Sequence, residues 1–130
     1  MRTSRTALRV RYAETDAMGI VYYANYFVWF EAARGDFMRT FDSSYRELEA
    51  AGVHMPVIEA ECRYVAPARY DDEVEVRAQA RVLSPVRVEF TYEVGLVGGR
   101  VLATGRTAHA AVDRDGRPRR LPAQLVEALQ

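Results

Sequence analysis

Four stretches of the chain alternate polar and apolar residues, a fifth is partly apolar on both faces, and one repeats its apolar residues at helical spacing. Leu8, Val10 and Tyr12 alternate with Arg9 and Arg11, the period of two expected of a strand with one buried face. The same pattern returns in Ile58, Ala60, Cys62 and Tyr64, set against Glu59, Glu61 and Arg63. Val74 to Val82 alternates most cleanly, against Glu73, Glu75, Arg77, Gln79 and Arg81. Val86 to Leu96 runs against Arg87, Glu89, Thr91 and Glu93, and Val101 to Val112 forms a last strand whose two faces are both partly apolar. From about Asn25, by contrast, Tyr26, Phe30, Ala33, Phe37 and Phe41 recur every three or four residues, while Phe27, Val28 and Trp29 widen the apolar surface. This predicts a long helix surrounded by protein on most sides.

Breaks between these stretches order them. Ala13 to Gly19 has no periodicity and holds Glu14, Thr15, Asp16 and Gly19, so the chain turns there. Asn25 is the expected N-cap of the long helix. Ser43 followed by Tyr45 to Ala51 predicts a short second helix stopped by Gly52, and Pro56 ends any helical tendency. Pro67 to Asp72, Ser84-Pro85, Gly98-Gly99 and Asp113 to Gly116 separate the strands, and Pro122 suits the first turn of a terminal helix. A strand, a long helix and then hairpin-linked strands make an α+β architecture, an antiparallel β-sheet curled around one long central helix, with residues 1–130 as one domain.

Composition narrows the function classes. The chain is 49% apolar, yet no segment approaches the ~18 consecutive apolar residues of a membrane span. The basic N-terminus runs into a strand without the apolar stretch of a secretory signal, so a cytoplasmic location is expected. Cys62 is the single cysteine, which fits a reducing compartment. Eighteen basic residues balance eighteen acidic ones, which argues against a nucleic-acid partner for the chain as a whole. The two histidines, 55 positions apart, and the one cysteine offer no metal-ligand spacing, so no metal site is expected. Asp113 to Arg117 begins like a calcium loop but has Arg117 where a ligand is needed.

The element order, together with Tyr12, Thr15-Asp16, Gly19-Ile20-Val21-Tyr22-Tyr23, Asn25-Tyr26, Phe30 and Glu31-Ala32-Ala33-Arg34, resembles the hotdog-fold acyl-CoA thioesterases of the 4-hydroxybenzoyl-CoA thioesterase type. Within that group the likeness is closer to the Tol-Pal-associated acyl-CoA thioesterases. It runs over nearly the whole chain, including the break at Pro67 to Asp72. The resemblance implies hydrolysis of an acyl- or aryl-CoA thioester with Asp16 carrying catalysis, as nucleophile or as general base. Free amides where the helix begins, at Tyr23 and Ala24, would meet the charge developing on the carbonyl oxygen. Gly19 would let substrate approach the backbone closely. Tyr23 stands where many relatives carry histidine. Glu31, by analogy with a second thioesterase type, is a distant alternative catalyst, and with Arg34 it makes an expected ion pair.

The resemblance further implies that the loop of His54 approaches the active site, sometimes from a neighbouring subunit. Met18, Ile20, Val57 and Ile58 offer an apolar rim for the acyl or aryl chain, and Arg87, Arg117, Arg119 and Arg120 are the candidates for the coenzyme A phosphates. Tyr22 is expected in the core, and His109 in a structural role. No cofactor is expected beyond the coenzyme A of the substrate. A homo-oligomer, dimer or tetramer, is expected because a sheet of this kind leaves an edge strand to be paired. Two other readings use the same residues: a non-catalytic acyl-CoA-binding or scaffold protein, and a hydratase or dehydratase that would need His54 as its acid-base group.

Overall fold

The computed structural model describes residues 2–41 and 45–129. The chain order is β1 (Ser4–Arg9), a 3-10 turn (Tyr12–Glu14), α1 (Asn25–Arg39), α2 (Tyr45–Ala50), β2 (Val57–Tyr64), β3 (Glu73–Ser84), β4 (Arg87–Leu96), β5 (Val101–Ala110) and α3 (Ala123–Leu129). The strands form one antiparallel sheet in the order β1-β3-β4-β5-β2, so the chain crosses from one edge to the other between β1 and β2. Helix α1 lies in that crossing and packs on β1 and β3.

Register explains the packing. Ser4, Ala78, Tyr92, Gly105 and Cys62 stand directly opposite one another across the five strands. Because opposed residues in an antiparallel sheet share a face, this row points toward α1. Phe30 of α1 stacks on Tyr92 with ring centroids 4.2 Å apart and planes 6° from parallel. Gly105 makes that contact possible, since a Cβ there would lie 2.4 Å from the Phe30 ring. Phe37, Phe90, Leu102 and the valines of β3 and β4 complete the core.

The outer face is polar and cross-linked by charge. Glu89 is buried there, 2.8 Å from Arg81 Nε and 3.0 Å from Arg106 Nε, and Arg106 also reaches Glu59 and Glu61. Burial alone would raise the Glu89 pKa, but the hydrogen bonds from the two guanidiniums outweigh it and hold the carboxyl below its ordinary range.

Several expectations need correction. The first strand is Ser4–Arg9 rather than Leu8 to Tyr12, because Ser4 and Thr6 are small enough to face inward with Leu8, while Tyr12–Glu14 curls into a 3-10 turn. Asn25 is the first helical residue, not the cap: Ala24 occupies the N-cap position, and Asn25 Nδ2 donates to the Glu14 carbonyl at 2.8 Å. Tyr22 is 45% exposed instead of buried. No Glu31–Arg34 ion pair forms among the described residues; Arg34 donates to the Tyr92 hydroxyl at 3.2 Å. A bulge between Val57 and Glu59 puts Val57, not Ile58, in register with the inward row at His109. Ser43, expected to begin the second helix, lies outside the described residues.

Candidate active site

The segment between β1 and α1 is a knot of short hydrogen bonds around Asp16. The Asp16 N–H donates to the Ile20 carbonyl at 2.8 Å, and the Gly19 N–H returns to the Asp16 carbonyl at 2.9 Å. Gly19 has φ +79, where L side chains are strained, which explains glycine at this reversal. The Met18 N–H donates to Asp16 Oδ1 at 2.9 Å, while Oδ2 accepts no hydrogen bond among the described residues. Val21 N–H to the Ala68 carbonyl at 2.8 Å, with Ile20 bridged to Arg69, docks the loop on the 67–72 segment.

Beyond the loop, the chain turns into α1. The Asn25 N–H donates to the Tyr22 carbonyl, and the Tyr26 and Phe27 amides to the Tyr23 and Ala24 carbonyls. The amides of Tyr23 and Ala24 have no acceptor among the described residues, and no side chain caps the helix. These amides lie at and just before the N-cap, at the positive end of a 15-residue helix. From the edge strand, the Tyr64 hydroxyl donates to the Tyr23 carbonyl at 2.9 Å. Burial pushes the Tyr64 phenol pKa up, and Cys62 adds to the shift, so it stays a neutral donor.

A cleft of about 320 Å³ opens here, lined by Asp16, Met18, Ile20 and Tyr23 on one side and by Tyr26, Tyr64 and Val65 to Pro67 on the other. Aliphatic side chains and three tyrosines make its wall, with Tyr26 and Tyr64 edge to face at 5.1 Å. Met18 is 75% exposed and Tyr23 59%, so both form rim rather than core. Tyr22 and Tyr23 rings lie 4.7 Å apart, and a hydrogen bond to Tyr23, followed by the charges of Tyr23 and Asp16, raises the Tyr22 phenol.

The remaining expected site residues lie elsewhere in the chain. Val57 begins β2 and Tyr64 ends it, a separation of about 23 Å at ~3.3 Å per residue. His54 pairs with Val112, Arg87 lies opposite Ala110, and Arg117 N–H bonds Asp113 Oδ1. Arg119 donates to the Ala51 carbonyl at 2.9 Å, next to Arg120. All of these gather at the sheet end remote from Asp16, because β2 runs the length of the sheet between the two ends. Two residues that matter at the cleft have no strong sequence signal, Tyr64 and Glu14. The need of the lone tryptophan, Trp29, for a buried hydrogen-bond acceptor points toward the second. Among the described residues, no group of three or more His, Cys, Asp or Glu side chains is placed to hold a metal ion, and no helix is long and apolar enough to cross a membrane.

Such a sheet, wrapped on one helix with a polar loop at the helix start, defines a family as well as a fold. The thioesterase-like superfamily matches residues 10–129, and the chain belongs to it. It is a hotdog-fold protein of the acyl-CoA thioesterase kind that its sequence resembles. It is 35% identical to a putative esterase of Aquifex aeolicus over 94% of each chain. It is 32% identical to the acyl-CoA thioester hydrolase YbgC of Escherichia coli, over 94% of this chain and 92% of the relative. The crystal structure of a DHNA-CoA thioesterase from Staphylococcus aureus superposes with TM-score 0.87 at 34% identity, covering 93% of this chain and 82% of that one.

Proposed function

We propose that the protein hydrolyses the thioester of an acyl- or aryl-CoA to the free acid and coenzyme A, with Asp16 as the reacting carboxylate. The observation that carries this reading is that Asp16, with a carboxylate oxygen free of hydrogen bonds, and Tyr23, with an unpaired amide next to that of Ala24, line one cleft. In such an arrangement the thioester carbonyl oxygen accepts from the amides as negative charge develops on it, and Asp16 attacks the carbon or takes a proton from the attacking water. The C–S bond then breaks, and the electron pair leaves on a thiolate stable enough to need no strong general acid; where Asp16 has attacked, water then cleaves the mixed anhydride, releasing the acid and restoring the carboxylate. Tyr23 contributes its amide and its ring to the rim. Met18 and Ile20 offer apolar surface to the acyl group. Relatives named for acyl-CoA and for DHNA-CoA substrates support the class of substrate without choosing within it.

The same reading joins the two ends of the sheet. Strand β2 is an unpaired edge with Val57, Ile58, Ala60 and Tyr64 exposed. Antiparallel pairing of β2 with β2 of a second copy sets the Val57 end of one beside the Tyr64 end of the other. The second copy's His54 loop and its Arg87, Arg117, Arg119 and Arg120 cluster then approach the Asp16 cleft, where arginine forks suit coenzyme A phosphates. Thiol release from a panel of acyl- and aryl-CoA esters tests the activity. Turnover that survives in Asp16→Ala would sink the assignment of that residue, and no release from any ester would favour a binding protein.

A further inference from the structure

Glu14 is a carboxylate in the interior of the molecule, two residues before Asp16, and none of its acceptor groups is idle. Oε1 accepts from the Arg11 N–H at 2.8 Å, and Oε2 accepts from the Trp29 indole N–H at 2.9 Å. Its backbone carbonyl accepts twice more, from the Tyr22 N–H and from Asn25 Nδ2, both at 2.8 Å. The residue is 7% exposed and is not part of the cleft wall. Burial opposes its ionisation, but the Arg11 amide, the Trp29 indole and the Arg11 guanidinium 3.5 Å away together outweigh it, so the group is an ionised, acceptor-only hub.

Every one of those bonds crosses a boundary that matters to the site. The Arg11 and Tyr22 contacts close the loop that holds Asp16 from both of its ends. The Asn25 and Trp29 contacts tie that closed loop to the first and second turns of α1. Glu14 therefore ties the Asp16 loop to the helix start that follows the Tyr23 and Ala24 amides, beside the bonds that dock the loop on the 67–72 segment. Taking the Asp16 chemistry above as the basis, we infer that Glu14 is a positioning residue, whose buried clamp on Trp29 holds the Asp16 loop in reacting register with the amides at the start of α1. Positional errors of an ångström can cost about 100-fold in rate, so such a clamp has a measurable effect without touching substrate.

Glu14→Gln and Trp29→Phe, singly and together, test it. Glu14→Gln keeps one acceptor oxygen but turns an NH₂ toward a donor, and adding Trp29→Phe removes the indole donor and with it the conflict. Two measurements are read on folded protein: steady-state thiol release, and hydrogen exchange at the Met18 and Gly19 amides, which needs no substrate. The expected result is a kcat at least ~10-fold lower in each single variant, with KM within about twofold. The acid limb of the pH profile keeps its midpoint, exchange at Met18 and Gly19 quickens, and the double variant loses less than the product of the singles. Unchanged exchange, unchanged kcat or independent effects would overturn the clamp. So would failure of both single variants to fold, which would make Glu14 a residue that holds the fold. If wild-type protein releases no thiol while Glu14→Gln quickens exchange, the clamp stands and the hydrolase reading fails.

Discussion

The imidazole of His109 is 1% exposed, held between the Met55 carbonyl at 3.0 Å and the Thr107 hydroxyl at 2.8 Å. A carbonyl only accepts, so Nδ1 carries the proton and Nε2 accepts from Thr107. The Thr107 oxygen then lies 2.7 Å from the Tyr92 hydroxyl, which accepts from Arg34. Burial, the largest influence, lowers the His109 pKa; the Met55 bond opposes it, and the charge of Arg34 adds to it. A histidine lowered in the folded state lets the unfolded chain bind the proton first as pH falls. Its contribution is present above the unfolded pKa of about 6.5 and is lost below it, at up to about 1.4 kcal/mol per pH unit. Urea denaturation is expected to show stability falling from about pH 7 to about pH 5, ahead of the loss that follows protonation of Glu14, Asp36 and Glu89, whose carboxyls are held low. In His109→Gln that early slope should flatten. An unchanged slope would assign it to another group. A structural role for His109 is readable from its place on a late strand, but its neutral, doubly bonded state depends on a threonine two residues away and a loop carbonyl 54 residues away, which no local pattern shows.

At the scale of elements, periodicity reveals what faces a continuous partner and misses what depends on one distant contact. The period of two in β3 and β4 and the three-four spacing in α1 are legible because whole faces are buried at once. The two faces of β5 are not distinguishable in sequence. The register shows why: its inward row includes Gly105, which has no side chain to mark the face, and the polar Thr107 and His109. Gly105 is therefore the sharpest test of how α1 meets the sheet. A Cβ at this position would lie 2.4 Å from Phe30 and 2.9 Å from the Glu61 carbonyl, on a ring already stacked against Tyr92. Gly105→Ala is expected to destabilise the fold by about 1–3 kcal/mol, the usual cost of overpacking a filled core. Thermal unfolding checks this, and a melting temperature equal to wild type would mean that Phe30 has room to move. The position of Asn25 is illegible for the opposite reason, since its side chain bonds the Glu14 carbonyl 11 positions away.

For the whole molecule, the topology separates what the family resemblance groups together. Asp16, Gly19 and Tyr23 are legible as a candidate site because they are near neighbours in a dense motif; in the structure Asp16 and Tyr23 line one cleft, and Gly19 turns the loop between them. His54, Val57 and the four arginines follow from the resemblance alone, and a single chain holds them at the other end of the sheet. The proposed pairing at the exposed β2 edge would bring the two groups together, because a two-fold axis reverses one strand against its copy. Sedimentation at micromolar concentration should find at least a dimer. Val57→Lys and Ala60→Lys, which put charge on that edge, should shift it toward monomer and lower activity together. A fully active monomer would contradict the pairing and leave the arginines without a role at the cleft.

The most direct measurement is thiol release by the wild-type protein and Asp16→Ala across acyl- and aryl-CoA esters. Hydrolysis of at least one ester class is expected, with a loss of ~100-fold or more in kcat/KM for the variant, about 2.7 kcal/mol of transition-state stabilisation. Equal rates in the two proteins, with both folded, would contradict it, and the reacting group would have to be sought elsewhere.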